Sequence, residues 1–590
     1  MIGSRRIPIG ILATSLLLFS ATTARSKGDS FRALQSCAEF ISNDEIGTLF
    51  ADMTDTYPEI ARALVIGETV EGRPIHALRL SADPEVESVE PEARIIGGIH
   101  GNECMGAEVV LTTVTWLVDG YLEADPFAKR LIDGAEITFV PLLNPDGYMA
   151  KWATRANADG VDLNRNLHFA WVGSGAFPFS EPETQALKQL SDESAFNLGI
   201  SYHTVSHYVN GPWNYTPHHP PDAALIQTMG EAYAADSDFD VVFGWDWYDI
   251  QGDVNDWSLG TKGTFDWTLE LMSDTDEQWG INRAGLEGML SFLFQGVAGV
   301  VTDDETGDPL FARIEVTPTG APIFTDPDVG DFHRILLPGT YDIRAVSAGY
   351  RPQQIAGVVV EADQVTPVDF ALERDNQRNR HAMSVAGMTL PGRISREVYS
   401  TISYLNDTMV WNALGPPDGV AYSLSANPSS TDVEDATDPG LVAGTITLDM
   451  GEDTPVVDRE GDDLSVVSAT MSDDEAVVLL AADDAGPFVE AARGAGTLSI
   501  DIGAVGLDTV RFVKVVDINR GPFDTIDSGY DLDAVVALRA PQVEPDAGVI
   551  EPDSGPSIEI EAIAGGCTCR TVASGVFPIR GLLMWLGGEF

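Results

Sequence analysis

Short apolar runs alternate with helical patterns over residues 31–294, and this alternation restricts the fold more than any other feature of the sequence. Residues 105–118 have helical length and spacing, and they follow the first of these apolar runs, which covers residues 94–99. The pattern predicts an α/β domain with a mixed, mostly parallel sheet and helices on both faces. Sheets of this kind bind ligands at the carboxyl ends of their strands. The runs that suit buried strands cover residues 94–99, 137–143, 198–202 and 264–271.

The texture of the sequence changes at Gly296. From there, strand-length apolar runs alternate with turns rich in Gly, Pro and Asp, and no helix is needed. The fold class predicted is an α/β domain followed by two all-β sandwich domains. After them comes an acidic segment rich in Pro and Asp, which is expected to be a linker, and then a tail. These parts are predicted to span residues 31–295, 296–374, 388–540, 541–558 and 559–590.

The first 24 residues are typical of a signal peptide. Arg5 and Arg6 precede an apolar stretch over 7–21, which is short for a membrane span and is followed by small residues. The sequence therefore predicts a secreted or cell-surface protein. Asp and Glu number 91 against 34 Lys and Arg, and the net charge of −57 excludes nucleic acid as a partner, because phosphate binding needs a basic surface.

A pair of metal-ligating side chains follows the first predicted strand. His100 and Glu103 lie within the run H-G-N-E, and zinc binds imidazole nitrogen and carboxylate oxygen. A catalytic zinc site uses three protein ligands, so one more must come from elsewhere in the chain. His203, at the end of the strand S-Y-H, is the preferred candidate. The competing histidines are His168, His207, His218 and His219.

A longer motif, R-x-N-x-x-x-x-D-L-N-R-N over 155–166, is much more specific. Here the chain resembles the zinc metallocarboxypeptidases that include the pancreatic carboxypeptidases A and B, most closely their N/E regulatory subfamily. The runs H-G-N-E, N-P-D-G-Y, D-L-N-R-N and T-L-E-L occur in the family's order over the whole predicted α/β domain. The β-unit at 296–374, with L-L-P-G-T-Y and V-D-F, resembles the transthyretin-like domain of that subfamily.

The resemblance implies a role for each matching residue. A charge inside the apolar strand T-L-E-L also needs a functional reason, because burying a carboxylate is costly. The implied zinc ligands are His100, Glu103 and His203. The implied catalytic residues are Glu270, as general base, and Arg155, which would stabilise the oxyanion. The residues expected to bind the terminal carboxylate of the substrate are Asn164, Arg165 and Tyr248.

The pocket for the last side chain departs from the subfamily pattern. An Asp that helps bind Lys or Arg in the N/E enzymes is replaced by Asn214, and a common Gln by Asn255. Both Asn residues are expected to contact the substrate. Asp249 or Asp253, from one loop, would supply the missing charge. A preference for basic C-terminal residues is therefore a hypothesis.

The tail carries a Cys-Thr-Cys run at 567–569 before a short apolar stretch. It resembles the C-terminal sorting signals of myxobacterial surface proteins, which implies a bacterial source and attachment to the cell envelope; a frayed end with incidental cysteines is the alternative. Cys37 and Cys104 would form either a disulfide bridge or two buried thiols.

The leading hypothesis is a Zn²⁺-dependent metallocarboxypeptidase that hydrolyses the C-terminal bond of peptides or proteins. The alternatives are a cell-wall peptide amidase and a surface adhesion protein with a vestigial enzyme domain. Acidic turns in the unit at 388–540 would bind Ca²⁺ or be solvated, and no spacing there matches an EF-hand.

Overall fold

The computed structural model divides into two compact units, residues 1–541 and 542–590. The described residues all lie in the first unit. They are 40–171, 173–204, 206–237, 239–271, 275–318, 320–375, 380–381, 384–389, 422–423, 445–451, 455–459, 461–468, 475–483, 486–517 and 531–538. The predicted signal peptide, linker and tail lie outside them.

An eight-stranded mixed sheet forms the centre of the N-terminal part, in the order β1-β2-β4-β3-β5-β8-β6-β7. Neighbours among β4, β3, β5 and β8 run parallel, whereas β1, β2 and β4 pair antiparallel, as do β8 and β6. The mixed, mostly parallel sheet predicted from the sequence is confirmed. The strands are β1 (Ala61–Glu68), β2 (Pro74–Leu80), β3 (Glu92–Ile96), β4 (Glu136–Val140), β5 (Phe196–Thr204), β6 (Tyr208–Gly211), β7 (Asp240–Phe243) and β8 (Phe265–Leu271).

Helices connect these strands. Ser42 caps the first helix and forms a capping box with Glu45, and the second helix packs Val110, Val114 and Leu117 into the core at helical spacing. The helices are α1 (Asn43–Thr56), α2 (Cys104–Glu123), α3 (Pro126–Gly134), α4 (Pro145–Met149), α5 (Pro182–Asp192), α6 (Ala223–Ala234), α7 (Gly244–Trp247), α8 (Val254–Trp257) and α9 (Thr275–Leu290). Short 3₁₀ or π turns occur at Leu163–Arg165, Ser258–Lys262, Ser291–Phe294 and Gly503–Val505.

The central strands β3 and β4 are shorter than the sequence predicts, although every residue in them is buried. After β3 the chain turns at Gly97 and Gly98. A side chain at Gly97 would place its Cβ 2.6 Å from the carbonyl oxygen of Pro141, so only glycine fits. Backbone hydrogen bonds nevertheless continue from Gly97 to Val140, at 2.8 Å, and these bonds fix where the chain leaves the sheet toward His100.

A β-sandwich follows at Gly296. One sheet has the order β11-β10-β13-β14, and the other β12-β9-β15, with β16 also paired to β9. The sandwich packs on the α/β part through Arg334, whose guanidinium donates to Asp222 at 2.7 Å where both side chains are fully buried. Its strands are β9 (Gly296–Asp303), β10 (Arg313–Thr317), β11 (Ile323–Phe324), β12 (Asp331–Ile335), β13 (Gly339–Val346), β14 (Gln353–Val360), β15 (Val365–Pro367) and β16 (Phe370–Leu372).

The third part is all-β in its described residues. Its two larger sheets pair β17, β28, β22, β25 and β19 in one, and β18, β20, β27, β23 and β24 in the other. The strands are β17 (Arg380–His381), β18 (Ser384–Thr389), β19 (Tyr422–Ser423), β20 (Thr445–Asp449), β21 (Val456–Val457), β22 (Leu464–Ser468), β23 (Glu475–Ala481), β24 (Val489–Ala495), β25 (Leu498–Ile500), β26 (Thr509–Val510), β27 (Phe512–Asp517) and β28 (Asp531–Ala537). Within the described ranges, no helix has the length and apolar character needed to cross a membrane.

Candidate metal centre and substrate cleft

Three predicted ligands meet at the carboxyl end of the sheet. His100 follows β3, Glu103 immediately precedes α2, and His203 lies near the end of β5. The Nδ1 atoms of the two histidines are 3.0 Å apart, and each lies 3.0 Å from one oxygen of Glu103. All three side chains are buried. We refer to these residues as the ligand cluster.

The ligand cluster fits a catalytic zinc ion. Two imidazoles and one carboxylate converge from three elements, and this donor set leaves a coordination position for water or substrate. The two Nδ1 atoms and both oxygens of Glu103 face one another in a buried site, as the donor atoms of one metal ion would. Of the competing histidines, His207 packs on Phe239 and His219 stacks on Phe243. In the parts of the chain that are described, no competing histidine joins a group able to hold a metal.

Each ligating histidine has an oxygen partner on its other ring nitrogen. Asp162 lies 3.1 Å from Nε2 of His100, and the hydroxyl of Ser201 lies 3.2 Å from Nε2 of His203. Such partners fix the orientation and protonation of a metal-bound imidazole. Nδ1 of both rings is thereby left to the ligand cluster.

The neighbours in the cluster determine its protonation. Burial would raise the pKa of Glu103, but the two imidazoles lower it well below its ordinary value. Burial would likewise raise the pKa of Asp162, yet His100, Arg165 and Arg155 lower it. Burial lowers the pKa of His203, and the adjacent Glu103 only partly opposes this. The site therefore favours ionised carboxylates and a neutral His203, the forms that bind a metal. Burial also lowers the pKa of His100, but Glu103 and Asp162 outweigh it and raise that pKa, so a bound metal would replace a proton there.

Glu270 lies beside the ligand cluster because of strand register. It pairs with His203 across the parallel strands β5 and β8, and residues paired in this way project from the same face of the sheet. Burial, and then the charge of Glu103, raise the pKa of Glu270 to about 8, although Arg155 and Arg165 oppose the shift. The carboxylate thus has a strong affinity for a proton next to the ligand cluster.

Two arginines line the open side of this region. Nε of Arg155 donates to Asp162 at 2.8 Å, and its Nη1 lies 3.2 Å from Nδ1 of His100. Nη2 of Arg165 reaches the hydroxyl of Tyr248 at 3.4 Å, and more than a third of Tyr248 is exposed. The side chain of Asn164 is buried, and its oxygen accepts from the backbone of Val254 at 3.0 Å.

The two expected pocket asparagines are buried and hydrogen-bonded within the protein. The amide of Asn255 donates to the carbonyl of Asn210, and its oxygen accepts from Thr268. The amide nitrogen of Asn214 donates to Asp253 at 2.5 Å and to Asp256 at 3.3 Å. The side chains of Asn214 and Asn255 are thus both engaged in hydrogen bonds within the protein.

Asp253 is the buried acid of the loop that precedes α8. Its side chain is 1% exposed, and its Oδ1 has no hydrogen-bond partner among the residues described. Burial raises its pKa to about 7, while the charge of Arg165 opposes the shift. Asp249, the other candidate from the sequence, is only partly buried and lies near the amide of Gln251.

Comparison with known proteins gives the same family for this geometry. Residues 46–289 match the family model described as zinc carboxypeptidase, and residues 296–373 match the carboxypeptidase regulatory-like domain. Residues 46–289 are thus a zinc carboxypeptidase domain. The predicted family and the predicted order of an α/β domain before a regulatory-like β-sandwich are confirmed.

Several curated relatives are carboxypeptidases by name. The carboxypeptidase N catalytic chain of Mus musculus is 28% identical over 411 residues, which cover 60% of this chain and 89% of that protein. Carboxypeptidase SOL1 of Arabidopsis thaliana is 28% identical over 349 residues, or 54% of this chain and 70% of that protein. Carboxypeptidase D of Mus musculus is 29% identical over 401 residues, covering 57% of this chain and 29% of that protein.

Sequence reasoning missed two residues that support the zinc carboxypeptidase site. Asp162 stands inside the motif D-L-N-R-N but received no role. Ser201 precedes His203 by two positions in one strand, and that spacing puts both side chains on the same face. Each had a signal in the sequence, although only the fold shows which histidine each one contacts.

One further observation concerns the cysteines. Cys104, at the start of α2 and next to Glu103, is disulfide-bonded. The sequence is compatible with either a disulfide bridge or a free thiol at this residue. The free-thiol alternative is wrong. Cys37 and the cysteines of the tail lie outside the described residues.

Proposed function

We propose that this zinc carboxypeptidase releases Lys or Arg from the C-terminus of peptides and proteins, using one Zn²⁺ held by His100, Glu103 and His203. The observation that carries the proposal is the arrangement around the ligand cluster. Glu270 is in register with His203, Arg165 contacts the partly exposed Tyr248, and the acid Asp253 is buried within reach of the charge of Arg165. These groups would supply a proton acceptor, a receptor for the terminal carboxylate and a charge for a basic side chain.

Bound zinc would supply a Lewis acid that polarises the scissile carbonyl and acidifies water. Glu270 would take a proton from the attacking water as the new C–O bond forms. It would then give that proton to the leaving nitrogen as the C–N bond breaks. The products are a shortened peptide with a new carboxylate and a free amino acid. Arg155, half-exposed beside His100, would stabilise the negative charge that develops on the carbonyl oxygen.

Arg165 would make the enzyme an exopeptidase. Its planar guanidinium suits a carboxylate, which it can bind through two parallel hydrogen bonds. Tyr248 lies within reach of the same guanidinium and would close over the bound carboxylate. A carboxylate held at a fixed distance from the ligand cluster places only the last peptide bond there. Asn164, held by the backbone of Val254, would complete this receptor.

Asp253 supports the preference for basic residues. Its Oδ2 is held by Asn214, while its buried Oδ1 has no partner in the described structure. A buried carboxylate is stabilised by a partner charge, and the ammonium or guanidinium of a substrate would provide one. Asn214 therefore stands at the sequence position of the Asp of the N/E subfamily but does not supply its charge. It holds Asp253, which would supply that charge instead.

The test compares kcat/KM for dipeptide reporters that end in Arg, Lys, Phe and Glu. We expect the wild-type enzyme to prefer Arg or Lys over Phe. Asp253→Asn should lower kcat/KM for the Arg reporter about 10- to 100-fold, the value of a hydrogen bond to a charged group, and leave the Phe reporter nearly unchanged.

Asp249→Asn is the matched control, since it removes the same charge from the same loop at a less buried position. Equal or better cleavage of the Phe reporter by the wild type would end the proposal of a basic preference but leave the carboxypeptidase assignment intact. Loss of Arg cleavage in Asp249→Asn alone would move the specificity to that residue.

We also propose that the enzyme acts outside the cytoplasm, as residues 1–24 predict. The mature chain should then begin near Arg25, which N-terminal sequencing of the native protein would check. An N-terminus that retains the first residues would contradict it.

A further inference from the structure

A second group of buried carboxylates lies at the opposite end of the central sheet. Glu92 is the first residue of β3, and Glu136 the first residue of β4. Asp326, from the regulatory-like sandwich, meets Glu92 there together with Glu87. One oxygen from each of Glu87, Glu92 and Asp326 lies within 4.8 Å of the others. We refer to these three residues as the carboxylate cluster.

The backbone holds one oxygen of each buried carboxylate and leaves the second without a partner. Oε1 of Glu92 accepts from the amide of Ala195 at 2.9 Å, and Oδ1 of Asp326 accepts from the amides of Asp328 and Val329. Oε2 of Glu92 and Oδ2 of Asp326 have no hydrogen-bond partner in the described part of the chain. These side chains belong to residues that are only 2% and 0% exposed, so water does not readily compensate.

Positive charge near the carboxylate cluster is too small to balance it. Nε of Arg79 lies 2.8 Å from Glu136, and its Nη1 lies 3.7 Å from Glu87. Glu90 and Asp331 add further negative charge, and His333 pairs with Asp331. Burial, followed by the neighbouring carboxylates, raises the pKa of Glu92 well above its ordinary value. The arrangement is costly unless protons or a cation neutralise it.

We propose that Glu87, Glu92 and Asp326 bind a Ca²⁺ ion that joins the catalytic domain to the regulatory-like sandwich. The donors are all oxygen atoms, which hard divalent cations prefer, and no nitrogen or sulfur donor belongs to the group. Buried carboxylates from two domains would then become cation ligands in place of repelling one another. Neither zinc binding nor substrate preference enters this inference, so it stands independently of the proposed function.

The acidic group in the third part consists of Asp458, Asp463 and Asp501. Among the described residues, none of its carboxylate oxygens is both buried and without a hydrogen-bond partner. Both oxygens of Asp463 already accept backbone hydrogen bonds, from Arg459 and Ile502. Asp458 is exposed and Asp501 is only partly buried. These contacts give no support to the Ca²⁺ site that the sequence offers in the acidic turns of this part.

The test measures the thermal midpoint Tm of the full-length secreted chain after removal of Ca²⁺ with EGTA. Adding Ca²⁺ to about 5 mM, above the dissociation constants usual for extracellular sites, should raise Tm by several degrees, and equal Mg²⁺ should raise it less. Glu92→Gln and Asp326→Asn should abolish most of this rise. Calorimetric titration should show one Ca²⁺ fewer per chain in either variant.

The matched control is Asp328→Asn, an exposed acid two residues from Asp326 whose amide contact to it is unchanged by the substitution. It should retain the full Ca²⁺ response. Without Ca²⁺, Glu92→Gln should melt at or above the wild-type temperature, because it removes one repelling charge. An equal Ca²⁺ response in Glu92→Gln and Asp328→Asn, or no response in the wild type, would overturn the proposal. If Glu92→Gln does not fold, Glu87→Gln at the half-buried member decides in the same way.

Discussion

Both ends of the central sheet have buried carboxylates, but the pKa values of these groups shift in opposite directions. At the carboxyl end, the imidazoles beside Glu103 overcome the effect of burial and lower its pKa. At the amino end, burial and neighbouring carboxylates raise the pKa of Glu92. Both residues are almost fully buried, so the neighbours account for the difference.

The two ends of the sheet differ in their chemical groups. Those at the carboxyl end suit a reaction, whereas those at the amino end leave negative charge to be neutralised. The cleft combines nitrogen donors, carboxylates and two arginines, so that Glu103 stays ionised while Glu270 retains proton affinity. The amino end has many carboxylates and Arg79 as its nearest strong cation. A cation there would affect the stability of the domain pair, whereas a cation in the cleft would affect the reaction.

The largest expected effect distinguishes two glutamates with similar proton affinity. The pKa values of Glu270 and Glu136 are both raised to about 8, chiefly by burial. Glu270→Gln should lower kcat about 10²- to 10⁴-fold, the usual contribution of a general base, with zinc content unchanged. Glu136→Gln is the control at the amino end of the sheet, at the first residue of β4, and should leave kcat within about twofold. Steady-state kinetics and metal analysis of both purified variants measure this.

A similar loss of kcat in both variants would show that the two ends are coupled and that position in the cleft is not decisive. A Glu270→Gln enzyme that keeps its rate would remove Glu270 from the reaction and leave the zinc ligands in question.

The sequence predicted the cleft far better than the carboxylate cluster. His100, Glu103 and His203 each follow or end a buried parallel strand, and strands of this kind have long apolar runs that are easy to recognise. Their convergence follows because parallel strands bring their carboxyl ends to one edge.

The remaining features depend on contacts between distant segments. Asp326 meets Glu92 only because two domains pack together, and no spacing in the sequence records that contact. The choice between Asp249 and Asp253 likewise depends on the turn before α8, which buries one acid and leaves the other near the surface. The apolar run over 94–99 predicts that Gly97 and Gly98 belong to a strand, whereas the two glycines form the turn toward His100.

A smaller effect is expected from the partner of a zinc ligand. Asp162 holds Nε2 of His100 and also accepts from Arg155, so it orients two groups of the cleft. Asp162→Asn should weaken zinc binding about 10- to 100-fold, measured by competition with a zinc-specific fluorescent chelator. Asp159→Asn, at an exposed position in the turn before the run D-L-N-R-N, is the control. If zinc affinity is the same in both variants, Asp162 acts on the substrate side through Arg155 and not on the metal.

The smallest expected effect is a dependence of stability on pH that comes from the amino end. The pKa of Glu136 is raised to about 8 and that of Glu87 to about 7 in the folded chain, first by burial, while Arg79 opposes both shifts. An unfolded glutamate titrates near 4.3, so between about pH 5 and pH 8 the folded chain holds more protons than the unfolded chain. These groups therefore stabilise the fold at low pH, and their contribution is lost as the pH rises, by at most about 1.4 kcal/mol per pH unit for each group. Without Ca²⁺, Tm should fall over this range less steeply in Glu136→Gln than in the wild type, and Ca²⁺ should flatten the wild-type curve because it binds the ionised carboxylates. If Tm falls equally steeply with pH in Glu136→Gln and the wild type, charges other than Arg79 already balance the carboxylates at the amino end. The two ends of the sheet would then differ in which residues they contain but not in how their charges affect stability.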